Sequence, residues 1–194
     1  MTVLGGLKKG LVFVISAPAG TGKTTLVRML REEFPCVIES VSYTTRSPRA
    51  NEIAGRDYYF ITPQEFQEKM AEGEFLESAQ VFGNYYGTSR KFVEGQLEKG
   101  KHVVLVIDTQ GALHLQGKIN AIFIFISPPN FEELQSRLRL RRSENDEAIS
   151  HRLSWAEKEI EMAKHYNYHV VNDHLKTAYD VLRSIFIAEE HKNR

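Results

Sequence analysis

The sequence has little of what several classes of protein require. It contains one cysteine, Cys36, and therefore forms neither an internal disulfide nor a cysteine-rich zinc site. Its longest apolar runs, Leu11–Ile15, Val103–Ile107 and Ala121–Ile126, are far shorter than the ~20 residues that cross a bilayer. Its first lysines follow the short apolar stretch at the amino terminus, which is the wrong order for a secretory signal. We therefore expect a cytoplasmic protein that spans no membrane.

The sequence also lacks net charge, because 25 Lys and Arg residues balance 25 Asp and Glu residues. This balance argues against a strongly cationic surface for nucleic acid or lipid headgroups. The seven histidines show no ligand spacing, and we predict no histidine metal site. What remains is an ordinary globular composition in 194 residues, which suits one large domain or a core with small insertions.

Short apolar runs alternate with helical patterns along most of the chain. Four runs are nearly all apolar, as expected of strands buried on both faces: Leu11–Ile15, Val103–Ile107, Ala121–Ile126 and Tyr168–Val171. Amphipathic helical patterns cover Lys23–Phe34, Ala148–Lys164 and Ala178–Ala188, and Asn130 with Glu133 indicates another helix start. This alternation predicts an α/β fold in which a parallel sheet is flanked by helices.

The segment from about residue 40 to residue 89 interrupts this alternation. Tyr58–Ile61 is typical of a short strand, Thr62 with Glu65 indicates a capped helix start, and Gly73 ends that helix. The remainder is rich in aromatic, glycine and polar residues. We predict that this segment forms an inserted, mixed α/β lobe.

A phosphate-binding loop follows the first predicted strand. Gly22, Lys23 and Thr24 match the end of the pattern G-x-x-x-x-G-K-[ST], whereas Ala17 stands where that pattern has its first glycine. Gly20 and Gly22 allow successive backbone N–H groups to point at phosphate oxygens. Lys23 would reach the β- and γ-phosphates, and the Thr24 hydroxyl would bind Mg²⁺. The alternative is a simple glycine-rich turn. The residues predicted to bind a nucleoside triphosphate here are Ala17, Pro18, Ala19, Gly20, Thr21, Gly22, Lys23, Thr24 and Thr25.

Two further features suggest an acceptor nucleotide. Pro48 restricts the chain between Arg46 and Arg49, so the two guanidinium groups could form a rigid fork for a phosphate. Glu77 precedes the motif Gly83–Ser89, and a carboxylate can accept hydrogen bonds from the N1–H and the 2-amino group of guanine. The alternatives are a solvated pair of arginines and an exposed strand carboxylate.

Together these motifs resemble those of guanylate kinases. The motifs S-x-x-T-T-R-x-P-R, E-F-L-E-x-A, G-N-Y-Y-G-T-S and I-D-x-Q-G all follow the phosphate loop, and the resemblance runs from about residue 10 to residue 188. It implies a P-loop NTPase core that transfers the γ-phosphoryl group of ATP to GMP, and by extension dGMP, with Mg²⁺. It also implies a core at about residues 1–39, 90–130 and 155–194, a GMP-binding lobe at 40–89 and a helical lid at 131–154.

The resemblance assigns the GMP site residue by residue. The GMP phosphate would lie on Arg46, Arg49, Tyr58 and Tyr86. The guanine would be held by Ser42, Glu77 and Thr88, with Asp108 near the base or the ribose. Thr88 stands where the family often has serine, and Val106 stands where it often has an additional acid, which leaves a metal or lysine contact at that position in question. A structural role for Asp108 is the alternative to a functional one.

The same resemblance assigns cationic side chains to the lid. Arg137 and Arg141 lie four residues apart and share one helical face. With Arg152 they would contact the ATP phosphates and the phosphoryl group in transfer. Asn172 would lie near the adenine, although a turn formed by Asn172 and Asp173 is an almost equal alternative.

Two other functions are compatible with parts of this pattern. An interaction module of the same family would bind phosphorylated peptides without catalysis, but Lys23, Thr24 and the lid arginines together favour an enzyme. A P-loop kinase for another phosphorylated acceptor is disfavoured by Glu77 together with Ser42 and Thr88. A phosphate oxygen of GMP is already ionised at neutral pH. We therefore expect catalysis by positioning and charge stabilisation, without a general base.

Overall fold

The computed structural model describes residues 3–140 and 146–193, which form two β-sheets surrounded by helices. In chain order the elements are β1 (Val12–Ser16), α1 (Lys23–Glu33), β2 (Val37–Glu39), β3 (Tyr43–Thr44), β4 (Tyr59–Phe60), α2 (Pro63–Ala71), β5 (Phe75–Val81), β6 (Asn84–Ser89), α3 (Arg90–Leu97), β7 (His102–Val106), α4 (Thr109–Leu115), β8 (Ala121–Ser127), α5 (Phe131–Leu140), α6 (Asp146–Glu161), β9 (Tyr168–Val171) and α7 (Leu175–Glu190). A 3₁₀ turn, Met162–His165, follows α6. None of the described helices is long and apolar enough to cross a membrane.

The larger sheet is parallel and has the strand order β2-β7-β1-β8-β9. Each of the four predicted apolar runs forms one of its strands, shifted by at most one residue, which confirms the predicted α/β fold. The first strand, β1, lies in the middle of this sheet, where Val14 pairs with Leu105 on one side and with Phe123 on the other. Ligands bind outside the carboxyl ends of strands in such sheets. The phosphate loop leaves β1 at that edge.

The core explains why these strands are apolar throughout. Side chains of β1 alternate between two clusters, because successive residues of a strand point to opposite faces. Phe13 and Ile15 pack against α1 and α7, and the ring of Phe13 stacks on that of Phe186. Val12 and Val14 pack with residues of α3 and α4 on the other face. Neither face of β1 is left for solvent.

The smaller sheet is mixed and has the order β4-β3-β6-β5. The predicted strand Tyr58–Ile61 is present as β4, and α2 begins with the predicted capping box. The Thr62 hydroxyl accepts from the Glu65 N–H, and the Glu65 carboxylate accepts from the Thr62 N–H. Sequence reasoning placed Glu77 on a strand but gave no bounds for the strands of the hairpin β5–β6, because polar and aromatic residues obscure their alternation.

A third apolar cluster joins the last helices to the phosphate loop. Leu134 and Leu138 of α5 pack on Ala156 of α6, with Ala19 of the loop against them. The predicted helix start is also present, since Asn130 Oδ1 accepts from the Glu133 N–H at 2.8 Å. Through this cluster, the position of α6 depends on contacts with both α5 and the loop.

Candidate nucleotide-binding site

A cavity of about 290 Å³ lies between the carboxyl edge of the larger sheet, the smaller sheet and α6. Many of the residues predicted from sequence contribute to its wall. These are Ala17, Ala19, Lys23, Thr24, Ser42, Arg49, Tyr58, Glu77, Tyr86, Asp108 and Arg152. Val106 also lines the cavity. It stands where the family that the sequence motifs resemble often has an acid. Residues as far apart in the chain as Ala17 and Arg152 therefore line one cavity.

The phosphate loop has the backbone that its glycines predicted. Gly20 and Gly22 have φ angles of +92° and +88°, which L side chains rarely adopt. The Thr21 hydroxyl donates to the Pro18 carbonyl at 2.9 Å and tightens the loop. Lys23 Nζ donates to the Ala17 carbonyl at 3.2 Å, so the ammonium folds back over the loop. Burial lowers the pKa of Lys23, although Glu159 and Asp108 act in the opposite direction.

The side chain of Asn172 contacts the phosphate loop through a hydrogen bond. Its side chain is buried, and Nδ2 donates to the Thr21 carbonyl at 2.6 Å. A Cβ atom on Gly22 would lie only 2.6 Å from the same nitrogen, so the loop and the carboxamide are in close contact. Neither sequence-based interpretation of Asn172 included this contact. Its proximity to adenine stays a prediction.

The two arginines of the predicted fork share a carboxylate that sequence reasoning did not identify. Arg46 Nη2 lies 2.8 and 3.0 Å from the two oxygens of Glu52, and the Arg49 N–H donates to Glu52 at 2.8 Å. Burial would raise the pKa of Glu52, but the hydrogen bonds from Arg46 and Arg49 lower it overall. Glu52 follows Arg49 by three residues, which is the only sequence signal for this contact.

The fork also lies against aromatic rings. The guanidinium carbon of Arg46 is 5.4 Å from the ring centroid of Tyr58, and the rings of Tyr58 and Tyr86 are 6.0 Å apart. Arg49, Tyr58 and Tyr86 line the cavity, whereas Arg46 is not among its lining residues. The exposed fractions of the two arginine side chains differ accordingly: 17% for Arg46 and 65% for Arg49.

Two acidic side chains, Glu77 and Asp108, line the cavity. The Thr88 hydroxyl donates to Glu77 Oε1 at 2.7 Å, and Glu77 is buried. Burial raises the pKa of Glu77 to about 7, against the effect of the Thr88 hydrogen bond, with a smaller contribution from Asp108. Asp108 caps α4, because its Oδ1 accepts from the Gly111 N–H at 2.9 Å. Its buried Oδ2 has no hydrogen-bond partner within residues 3–140 and 146–193.

Gly111 allows these two carboxylates to approach α4 closely. A Cβ atom at this position would lie 2.8 Å from Glu77 Oε2 and 3.1 Å from Asp108 Oδ1. The motif I-D-x-Q-G contains this glycine, but sequence reasoning gave it no role. Its role follows from contact with Glu77, which lies 34 positions earlier in the chain.

Helix α6 contributes a further acidic residue that the sequence analysis missed. Glu159 lies seven residues after Arg152, and both side chains line the cavity. Burial raises the pKa of Glu159 to about 7, although the charge of Lys23 opposes this shift. The spacing of seven residues on a helix was the signal that could have identified it.

The other predicted lid arginines have different positions. Arg137 donates to Glu133 at 2.9 Å and to the Asn172 carbonyl at 3.0 Å, and it is not among the residues that line the cavity. Arg141 lies outside the described residues. The structure thus brings Arg152 into the cavity and ties Arg137 to the end of β9.

The central β1 strand, the loop after it and the cavity define a P-loop nucleotide-binding protein of the α/β class. A family model described as guanylate kinase matches residues 9–189. The guanylate kinase of Protochlamydia amoebophila is 57% identical over 191 residues, covering 98% of this chain and 97% of that protein. That of Chlamydia muridarum is 53% identical over 182 residues, covering 93% of this chain and 89% of that protein.

A solved structure agrees with these sequence relationships. The crystal structure of guanylate kinase from Anaplasma phagocytophilum superposes with a TM-score of 0.78 at 34% identity, covering 99% of this chain and 91% of that chain. The chain belongs to the guanylate kinase family. The resemblance that the sequence motifs indicated is therefore confirmed.

Proposed function

We propose that this chain transfers the γ-phosphoryl group of ATP to GMP, and by extension to dGMP, and so produces ADP and GDP in the cytoplasm. The observation that carries the proposal is the shared cavity. Lys23 and Thr24 of a phosphate loop line one part of it, and Glu77 and Arg49 line another. A donor and an acceptor nucleotide would meet between these two groups.

The buried carboxylate of Glu77 supports guanine as the acceptor base. It would accept hydrogen bonds from the N1–H and the 2-amino group, with Ser42 and Thr88 as neighbouring hydroxyls. Adenine offers an acceptor at N1 and has no 2-amino group, so bound AMP would leave the charge of Glu77 unpaired. Buried groups left without partners discriminate strongly between related substrates. Asp108 is assigned to the base or ribose side of the same subsite.

The arginines and tyrosines near Glu52 support a monophosphate site. Arg46, Arg49, Tyr58 and Tyr86 would hold the GMP phosphate, with Glu52 orienting both guanidinium groups. The planar guanidinium group of arginine can donate two parallel, charge-assisted hydrogen bonds to a pair of phosphate oxygens. Because the attacking phosphate oxygen is already ionised, the enzyme needs to align it rather than deprotonate it.

The phosphate loop supports ATP as the donor. The backbone of residues 17–25 would hold the β- and γ-phosphates, and Lys23 would neutralise charge on them. Arg137, Arg141 and Arg152 are assigned to the ATP phosphates and to the phosphoryl group in transfer. Asn172 is assigned to the adenine side, in addition to its contact with the loop.

The oxygen atoms near the loop fit Mg²⁺. The Thr24 hydroxyl lines the cavity, and the buried Asp108 Oδ2 accepts no hydrogen bond from the described residues. Such hard oxygen donors are those that Mg²⁺ prefers, usually together with substrate phosphates. When bound with ATP, Mg²⁺ would neutralise phosphate charge; Thr24 would hold it.

We assign these roles to three parts of the chain. The core consists of residues of about 1–39, 90–130 and 155–194. The GMP-binding lobe consists of residues of about 40–89, and the lid consists of residues of about 131–154. Water has to be excluded from the γ-phosphoryl group during its transfer, because ATP would otherwise be hydrolysed. Closure of the lobe and the lid around both nucleotides would exclude it.

A coupled assay of ADP release tests the proposed function. GMP, AMP, UMP and dTMP are supplied in parallel, with ATP and Mg²⁺, to the wild type and to Lys23→Ala. Of the four acceptors, we expect only GMP to support rapid turnover by the wild type. We expect Lys23→Ala to show no turnover, because the Lys23 ammonium is needed once phosphates are bound. A wild type that prefers another acceptor, or a folded Lys23→Ala protein with normal turnover, would contradict the proposal.

A further inference from the structure

The hairpin β5–β6 has an unusual residue at its tip. Phe82 and Gly83 form the two-residue turn, and both have positive φ angles, +48° and +78°. Turns of this kind favour Asn-Gly or Gly-Gly, because bulky side chains are strained in the left-handed region. Phe82 is the one non-glycine residue with a positive φ angle in the part of the chain that the structure describes. Its backbone strain calls for a compensating interaction.

The ring of Phe82 gives little to the packing of its own lobe. Phe82 is 57% exposed, and its described ring contacts are with helix α6. Its ring centroid lies 5.5 Å from that of His151 and 5.6 Å from that of Trp155. The strained residue therefore reaches out of the smaller sheet to a helix that belongs to another part of the fold.

Helix α6 carries cavity residues on the face that Phe82 meets. Arg152, Trp155 and Glu159 are spaced three and four residues apart, and all three line the cavity. Phe82 also lines the cavity, from the side of the hairpin that contains Glu77. The contact of Phe82 with Trp155 thus bridges the proposed acceptor site and the helix that holds Arg152.

We propose that Phe82 is a positioning residue, whose ring seats against His151 and Trp155 and sets the distance of Arg152 from the acceptor nucleotide. This inference rests on the proposed function. A strained backbone that persists without a packing benefit in its own lobe is typical of functional sites. Aromatic pairs with ring centroids 4.5–7 Å apart attract each other beyond the area that they bury.

A substitution can remove the ring without straining the hairpin. Asparagine tolerates a positive φ angle, so Phe82→Asn should fold at least as stably as the wild type. We expect kcat for GMP phosphorylation to fall about tenfold, with GMP binding to the free enzyme changed by less than about twofold. Phe82→Tyr, which retains the ring, should restore kcat. Phe92→Ala, which removes a partly exposed ring from α3, is the control and should leave kcat unchanged.

Intrinsic fluorescence tests the contact itself. Trp155 is the only tryptophan of the chain, so the emission of the protein reports on its surroundings. Phe82→Asn should shift this emission to longer wavelength, because the indole loses an aromatic neighbour. An unshifted emission, or an unchanged kcat in a protein as stable as the wild type, would overturn the proposal.

A second variant approaches the contact from the helix, should Phe82→Asn fail to fold. His151→Ala removes the other ring that Phe82 meets, and we expect a smaller loss of kcat in the same direction. If both single variants fold, their combination should lose less than the product of the two single effects, since both remove one contact. Independent effects, or no loss in His151→Ala, would contradict the inference. A wild type inactive with GMP would instead overturn the proposed function.

Discussion

The Thr88 hydroxyl donates a hydrogen bond to Glu77 Oε1 at 2.7 Å, and both side chains are buried. The two residues face each other across the hairpin β5–β6 as a register pair. This bond fixes one oxygen of the carboxylate, while the other faces Gly111. An acceptor held in one orientation can select a base that presents two adjacent donors.

Glu77→Gln should weaken this selection. The amide keeps the shape of the side chain but replaces one acceptor oxygen by a donor. We expect kcat/KM for GMP to fall roughly ten- to a hundredfold, because a charge-assisted hydrogen bond is lost. The ratio of GMP to AMP activity should shrink, mainly through the loss with GMP. Steady-state kinetics with both nucleotides measures this, and Glu98→Gln, at the residue that follows α3, serves as the control. An unchanged ratio would place base selection elsewhere.

The same variant should change the pH dependence of stability. The pKa of Glu77 is about 7 in the folded protein, against an ordinary value of 4.5. Between these values the folded protein keeps a proton that the unfolded chain has lost, so Glu77 lowers stability as pH rises through this window. Glu77→Gln should therefore be more stable than the wild type at pH 8, by at most about 3 kcal/mol, and little different at pH 5.

Urea unfolding without nucleotides at both pH values measures this effect. A gain of equal size at pH 5 and pH 8 would show that it does not come from ionisation.

Gly111→Ala should disturb the acceptor site although alanine favours a helix. Its Cβ would lie within 2.8 Å of Glu77 Oε2, so the carboxylate has to move. We expect the KM for GMP to rise about tenfold or more, with ATP binding to the free enzyme unchanged. Gly95→Ala on α3 is the matched control, because its Cβ meets nothing within 4 Å. Kinetic effects of similar size in both variants would contradict the explanation.

Arg46→Ala and Arg49→Ala should separate binding from stability. Both should lower kcat/KM for GMP roughly ten- to a hundredfold, because each loses a charge-assisted contact to phosphate. Arg46 is largely enclosed and pairs with both oxygens of Glu52, whereas Arg49 is mostly exposed. Only Arg46→Ala should therefore unfold at a clearly lower temperature. If ATP affinity fell while GMP kinetics stayed intact, the two nucleotide sites would be reversed.

Asn172→Ala should weaken the binding of ATP, the phosphoryl donor. It removes the hydrogen bond to the Thr21 carbonyl, and we expect the KM for ATP to rise about tenfold. Asn167→Ala is the comparison, because Asn167 precedes β9 as Asn172 follows it, and its Oδ1 accepts from the Phe123 N–H. That variant should lose stability while its KM for ATP stays near that of the wild type. Equal KM values in the two variants would remove the supporting role of Asn172.

The sequence by itself determined the features that depend on neighbouring residues. The phosphate loop is one continuous segment, and Gly20 and Gly22 were sufficient to predict its backbone. The buried strands could be predicted because a strand with apolar side chains on both faces appears in the sequence as a continuous run of apolar residues. The capping box at Thr62 and Glu65 is equally local. Even the family could be identified, since its motifs are short and contiguous.

Only the tertiary structure decided which distant residues act on each other. Packing of the two sheets brings Gly111 against Glu77. Within the larger sheet, the parallel alignment of β1 and β9 places Asn172 beside Thr21. The contact of Phe82 with His151 and Trp155 of α6 joins segments about 70 positions apart. The pKa of Glu77 also follows from burial, because the removal of water destabilises a charged carboxylate by an amount that the sequence does not record. These properties depend on distances across the fold, which local sequence patterns do not specify.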